Sequence, residues 1–163
     1  MIPILILLLI GLSTIYSKQY QIKTPEKVDG ISQAEYKKII ENIVYLNQIL
    51  KNEDARIIDT SCKKLYGRYC GPGWCDNKFW DGCNNINIDQ QKCNTSGSIL
   101  DAVDSCCRTH DKMCLESRTS GNCLKARSDM VTCLINTNCN YNPNCIIWRK
   151  IMKEFFIYRS GCC

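Results

Sequence analysis

Apolar positions divide this chain into a short leading block and four stretches of helical period. The opening MIPILILLLIGLSTIYS holds an unbroken apolar core from Ile2 to Ile10, followed by small residues at Gly11, Ser13 and Ser17. That core is far shorter than the ~20 residues needed to cross a bilayer. It reads as a secretory signal peptide over residues 1–17, although no basic residue precedes it. Ser32-Gln33-Ala34-Glu35 has the spacing of a capping box. Behind it, Tyr36, Ile39, Ile40, Ile43, Leu46, Ile49 and Leu50 recur at helical spacing and predict a helix from Gln33 to Asn52. A second helix is expected from a Ser98 cap to Glu116. Gly121 and Asn122 then mark a turn, and a third helix spans Leu124 to Asn136 with Met130, Val131, Leu134 and Ile135 as its apolar positions. Asn138 to Asn144 reads as turn, and a last helix covers Ile146 to Tyr158.

Cysteine usage adds a second organising pattern. All fourteen cysteines lie from Cys62 onward. In a secreted chain an even, dense set reads as a disulfide framework, which a small domain with a modest apolar core needs. Residues 18–61 carry none and read as a separate unit, either a helical extension that packs on the rest or a removable pro-segment over the active site. Residues 62–163 form the disulfide-rich domain. Between residues 66 and 97 Gly, Pro, Asn and Asp are dense, so this stretch reads as loop, with an Asn94-Thr95-Ser96 glycosylation acceptor at an exposed tip. The net charge of +5 is mild and scattered. It favours an anionic lipid surface slightly. With no basic run or aromatic platform, nucleic acid is not an expected partner.

The candidate chemistry is concentrated in Asp104-Ser105-Cys106-Cys107-Arg108-Thr109-His110-Asp111-Lys112-Met113-Cys114, which contains the only histidine of the chain. At about 100° per residue, His110 lies near 300°, Asp111 near 40° and Cys114 near 340° from Cys107, all on one helical stripe. Leu100 and Val103 share that side, while Arg108, Thr109 and Lys112 take the other. Histidine is the usual general base near neutral pH. A carboxylate on a buried stripe needs a cation, an arginine or several donors. A core-filling histidine is the plain alternative, and the in-facing Asp111 argues against it. Zinc does not suit the set, because in an oxidising compartment the cysteines are paired rather than thiolate.

A second constellation is Tyr66-Gly67-Arg68-Tyr69-Cys70-Gly71-Pro72-Gly73-Trp74-Cys75. Alternating glycines let a backbone curl until its carbonyls converge. Converging carbonyls with a carboxylate make a calcium site; the alternative is an ordinary disulfide-pinned turn.

Together, YCGPG and DSCCRTHD resemble the calcium loop and active-site helix of the secreted phospholipase A2 family. The likeness is specific over Tyr66 to Cys114. The Gly73-Trp74 step and Arg68 in place of a cysteine are closer to the plant-type branch than to the pancreatic or venom enzymes. The resemblance implies a mainly α, disulfide-rich fold with two antiparallel cross-linked helices and a calcium loop at one end. It implies calcium-dependent hydrolysis of the sn-2 ester of glycerophospholipids at a membrane or micelle surface by a secreted monomer. His110 would be the general base on water. Asp111 and the carbonyls of Tyr69, Gly71 and Gly73 would hold Ca2+, which would polarise the ester carbonyl. The Gly71 amide would donate to the oxyanion, and a Cys70–Cys107 bridge would tie loop to helix.

Three positions depart from the family pattern, one being Leu115, where many members have a network tyrosine. The cysteine after the histidine comes fourth rather than third, so either its partner differs or the helix carries a bulge. The second aspartate, which orients the histidine in many members, has Asp129 as its candidate, the alternative being a solvated helix residue. Trp74, Phe79 and Trp80 around the loop, and Trp148, Ile151, Met152, Phe155 and Phe156 on the last helix, are candidate lipid-facing groups. Core is the preferred assignment for Trp148 and Phe155, while Trp74 and Trp80 stay open between the two. The rival function is a non-catalytic or weakly catalytic binding protein on the same scaffold.

Overall fold

The structure is a computed structural model that describes residues 20–27, 29–51, 63–79, 93–116 and 120–158. The expected signal peptide and Trp80 lie outside the described residues. Four helices dominate: α1 (Gln33–Lys51), α2 (Ala102–Glu116), α3 (Ser120–Asn136) and α4 (Pro143–Tyr158), with a small hairpin of β1 (Trp74–Cys75) and β2 (Lys78–Phe79) between α1 and α2. Among the described residues no helix is long and apolar enough to cross a membrane.

α1 starts where its capping box places it. The Ser32 hydroxyl accepts from the Glu35 N–H at 3.2 Å, and Glu35 Oε2 accepts from the Ser32 N–H at 3.1 Å, so two orphan donors are satisfied reciprocally. Ile39, Ile43 and Leu46 are buried with Ile22 and Ile31 in the same apolar cluster as Val103, Met130, Leu134, Trp148 and Ile151. α1 and the stretch ahead of it therefore pack into one apolar cluster with the helices of the disulfide-rich part. Asn47 fastens the extended stretch ahead of α1: its Oδ1 accepts from the Ile22 N–H at 2.7 Å and its Nδ2 donates to the Ile22 carbonyl at 3.0 Å.

Three helix starts differ from the sequence reading. α2 begins after Asp101 rather than at Ser98, because Asp101 Oδ1 accepts from the Asp104 N–H at 3.1 Å as an N-cap. Ser98 instead accepts from Arg68. Helical backbone runs through Gly121 and Asn122 as part of α3, so the expected turn there is absent. α4 starts at Pro143, three residues early, since Asn142 Oδ1 accepts from the Cys145 N–H and Pro at the first helical position needs no donor.

α2 and α3 are antiparallel: Cys106, near the start of one, bonds Cys133, near the end of the other. The remaining described bridges are Cys70–Cys107, Cys75–Cys93 and Cys139–Cys145. Trp148, Ile151, Met152 and Phe156 of α4 are buried, so that stripe is core rather than a lipid-facing face. Trp74 is buried too, with its indole N–H aimed at the Gly67 carbonyl at 3.4 Å.

Candidate functional site

α2 carries the site, and its helical path is unbroken from Ala102 to Glu116. No bulge accommodates Cys114. It stacks one turn beyond His110, its sulfur 3.6 and 3.7 Å from the two ring nitrogens, and it is disulfide-bonded. The His110 ring is only 6% exposed. The Phe156 ring of α4 meets it at an interplanar angle of 62°, centroids 4.7 Å apart. The imidazole thus contacts both a sulfur and an aromatic ring.

Asp111 lies beside it. Its Oδ1 is 3.8 Å from His110 Nδ1, and its Oδ2 is buried with no hydrogen-bond partner among the described residues. The side chain keeps a 17% opening to solvent. Burial away from water pushes this carboxyl up to about 7, opposed by the neighbouring His110 imidazole. A buried acceptor without a donor is uncommon and calls for a cation or a proton. The carboxylate sits within 4.8 Å of the sulfurs of Cys75 and Cys93. Those two sulfurs are bonded to each other, so they offer no thiolate and the trio is not a zinc site.

One bridge ties the glycine loop to this face and a second lies against it. Cys70 is bonded to Cys107, one helical turn before Asp111, and Cys75 places the far end of the loop against the Asp111 carboxylate. The carbonyls of Cys70 and Pro72 are used by the 63–66 segment, accepting from the N–H groups of Leu65, Tyr66 and Lys63 at 3.0–3.1 Å. The set named from the sequence, Tyr69, Gly71 and Gly73, is the alternate one; within it the Gly71 carbonyl accepts from the Trp74 N–H at 3.2 Å. Gly71 has φ +149°, and a Cβ there would come 2.0 Å from the Lys63 carbonyl oxygen, so only glycine fits. The turn between β1 and β2 puts Asp76 and Asn77 at φ 49° and 63°, the backbone of a two-residue hairpin loop.

Asp129 is not brought to His110. It lies on the outer side of α3, 41% exposed, and its Oδ2 accepts from Lys125 Nζ at 2.5 Å. The pair is four residues apart, so the local helix geometry satisfies both charges at the surface.

Asp104 is the site residue that the sequence reading passed over. It is fully buried. Its Oδ1 accepts from the N–H groups of Arg68 and Tyr69 at 2.8 and 2.9 Å, and its Oδ2 from the Leu100 N–H at 2.8 Å. One carboxylate thus staples the start of the glycine loop to the start of α2. The signal was present: at about 100° per residue Asp104 falls near 60° from Cys107, at the border of the same stripe beside Asp111. Gly67 permits the approach, with φ +57° and no room for a Cβ, which would meet Asp104 Oδ1 at 2.3 Å. Tyr66 adds a second tie, donating its hydroxyl to Asp101 at 2.5 Å and stacking on Trp148.

No family model matches this chain, and neither the curated proteins nor the solved structures contain a match.

Proposed function

We propose that this protein is a secreted, calcium-dependent phospholipase A2 that releases the sn-2 fatty acid from glycerophospholipids at a membrane or micelle surface. One observation carries the reading: a buried carboxylate oxygen on Asp111, without a hydrogen-bond partner among the described residues, next to the only histidine, on the helix face to which the Cys70–Cys107 disulfide ties a glycine loop. The donor set suits a hard cation, being all oxygen, with Asp111 and the carbonyls of Tyr69, Gly71 and Gly73 as its members. Calcium, when bound there, supplies positive charge to the ester carbonyl. His110 takes a proton from the attacking water and returns it to the leaving alcohol. Phe156 and Cys114 keep the imidazole in one orientation, the task that Asp129, facing solvent, does not perform. The Gly71 N–H donates to the oxyanion as it forms.

The test uses phosphatidylcholine vesicles with distinguishable acyl chains, first with calcium and then with a chelator. Calcium-dependent release of the sn-2 chain alone is expected. His110→Gln should lower it at least ~100-fold, the usual contribution of a general base, with the thermal transition unchanged. Asp111→Lys should remove calcium binding in calorimetry. A second reading, a non-catalytic binding protein on this scaffold, is favoured by the 6% exposure of His110 behind Phe156. It predicts no release from folded protein.

A further inference from the structure

A cleft of about 540 Å³ lies between the first turns of α1, residues 64–68, residues 98–100 and Trp148, and neither His110 nor Asp111 lines it. Its size falls in the range of small-molecule sites, ~300–1,000 Å³. Its chemistry is two-sided. Lys38, exposed on α1, and Lys64 bring ammonium groups to it. Lys64 is steadied by Asn77 Oδ1 at 3.1 Å and by the Trp74 ring, 5.0 Å from its centroid. The Arg68 guanidinium stands beside them, held by Asp76 at 2.7 Å and Ser98 at 2.6 Å. The one acidic lining residue, Glu35, is turned to the Ser32 hydroxyl and amide as part of the helix cap. Against this cationic side stand buried Ile39 and Trp148, with Ile99 and Leu100 40% and 61% exposed. Two large apolar side chains left open beside ammonium groups mark a surface for a ligand carrying both characters.

We propose that this cleft binds a single-chain amphiphile with an anionic head, a long-chain carboxylate or alkyl phosphate, its head on Lys38 and Lys64 and its chain along Ile99, Leu100 and Trp148. The inference stands apart from the chemistry assigned to His110 and Asp111. The ligand chemistry has two sources, a free monomer or a lipid held in a bilayer. The cleft's volume, within the range of small-molecule sites, favours the monomer.

The experiment titrates dodecanoate, below its micelle concentration, into the full chain with a chelator present, followed by calorimetry. Saturable one-to-one binding is expected. Decanoate should bind roughly tenfold more weakly, from the hydrophobic increment of two methylenes. Dodecanol should bind at least tenfold more weakly than dodecanoate. Lys38→Glu should weaken dodecanoate at least tenfold with the thermal transition unchanged, and Lys38→Arg should restore it. His110→Gln should bind as the parent does, separating this cleft from the proposed active site. Equal binding of dodecanol and dodecanoate, or an unchanged Lys38→Glu, overturns the proposal. So does binding to phosphatidylglycerol vesicles without binding to monomeric dodecanoate, which would make these lysines a membrane-surface patch. A surviving cleft with failed vesicle hydrolysis would sink only the enzymatic reading.

Discussion

Asp104→Asn isolates the contact that joins the glycine loop to the active helix. The carboxylate accepts three backbone N–H groups, from Arg68, Tyr69 and Leu100, at 2.8–2.9 Å and with no exposure to solvent. Asparagine retains one oxygen for the Arg68 and Tyr69 donors but turns an NH2 toward the Leu100 N–H. One charge-assisted bond is lost and a buried donor is left without an acceptor. Hydrogen bonds to charged groups contribute about 1.5–3 kcal/mol each, so the substitution should cost about 2 kcal/mol. In a chain of this length that lowers Tm by roughly 4–8 °C. Alanine should cost more, about 4 kcal/mol, since three donors lose their acceptor and the effects within one network do not add fully. The assay is urea unfolding with disulfides intact, followed by far-UV circular dichroism, reading the midpoint at constant slope. On the proposed calcium reading, affinity for the ion should fall in parallel, because the Arg68 and Tyr69 amides lead directly into the loop. An Asp104→Asn loss below about 0.5 kcal/mol, the level of an ordinary surface change, would refute the reasoning.

Gly67→Ala should destabilise by about 1–3 kcal/mol, since it needs φ +57° and drives a Cβ into Asp104; a thermal melt checks this. Asp129→Ala should leave hydrolysis within twofold and stability within about 0.5 kcal/mol, as for exposed pairs; a large loss of activity would return Asp129 to the histidine. Glu35 is held below the usual carboxylate range by the Ser32 hydroxyl and amide. Its folded-state value is depressed, so the cap it completes is in place above the unfolded value and is lost as pH falls through the folded one. Parent and Glu35→Gln should therefore differ in Tm at pH 6 and converge at acidic pH; a gap that stays constant across the titration would remove Glu35 from the cap.

Much of the local structure was legible because its causes are local. The capping box at Ser32 and Glu35 and the apolar spacing from Tyr36 to Leu50 predict α1 within one residue of its observed end. The stripe that puts His110, Asp111 and Cys114 on one side of α2 follows from helix geometry alone, and the i,i+4 contact of His110 with Cys114 realises it. The starts of α2 and α4 differ from the expectation because the residue that caps each helix is chosen by hydrogen bonds to its first turn. Asp101 outcompetes Ser98 through its bond to the Asp104 N–H, and Asn142 recruits Pro143 into the helix.

What the sequence alone determined is therefore the helical content, the disulfide-rich character and the placing of one histidine and one carboxylate on one face. Tertiary structure decided everything that depends on distant segments meeting. It folded residues 20–51 into the common core and buried Trp74 and Trp148. It directed Asp129 to Lys125 and brought the Arg68 and Tyr69 amides to Asp104, with more than thirty residues between them. Period and capping act within a turn or two of helix, where a residue's neighbours are fixed by chain geometry. Which way a charged side chain turns, and which amides converge on a buried carboxylate, is settled only when separate elements pack and each buried polar group must find its partner.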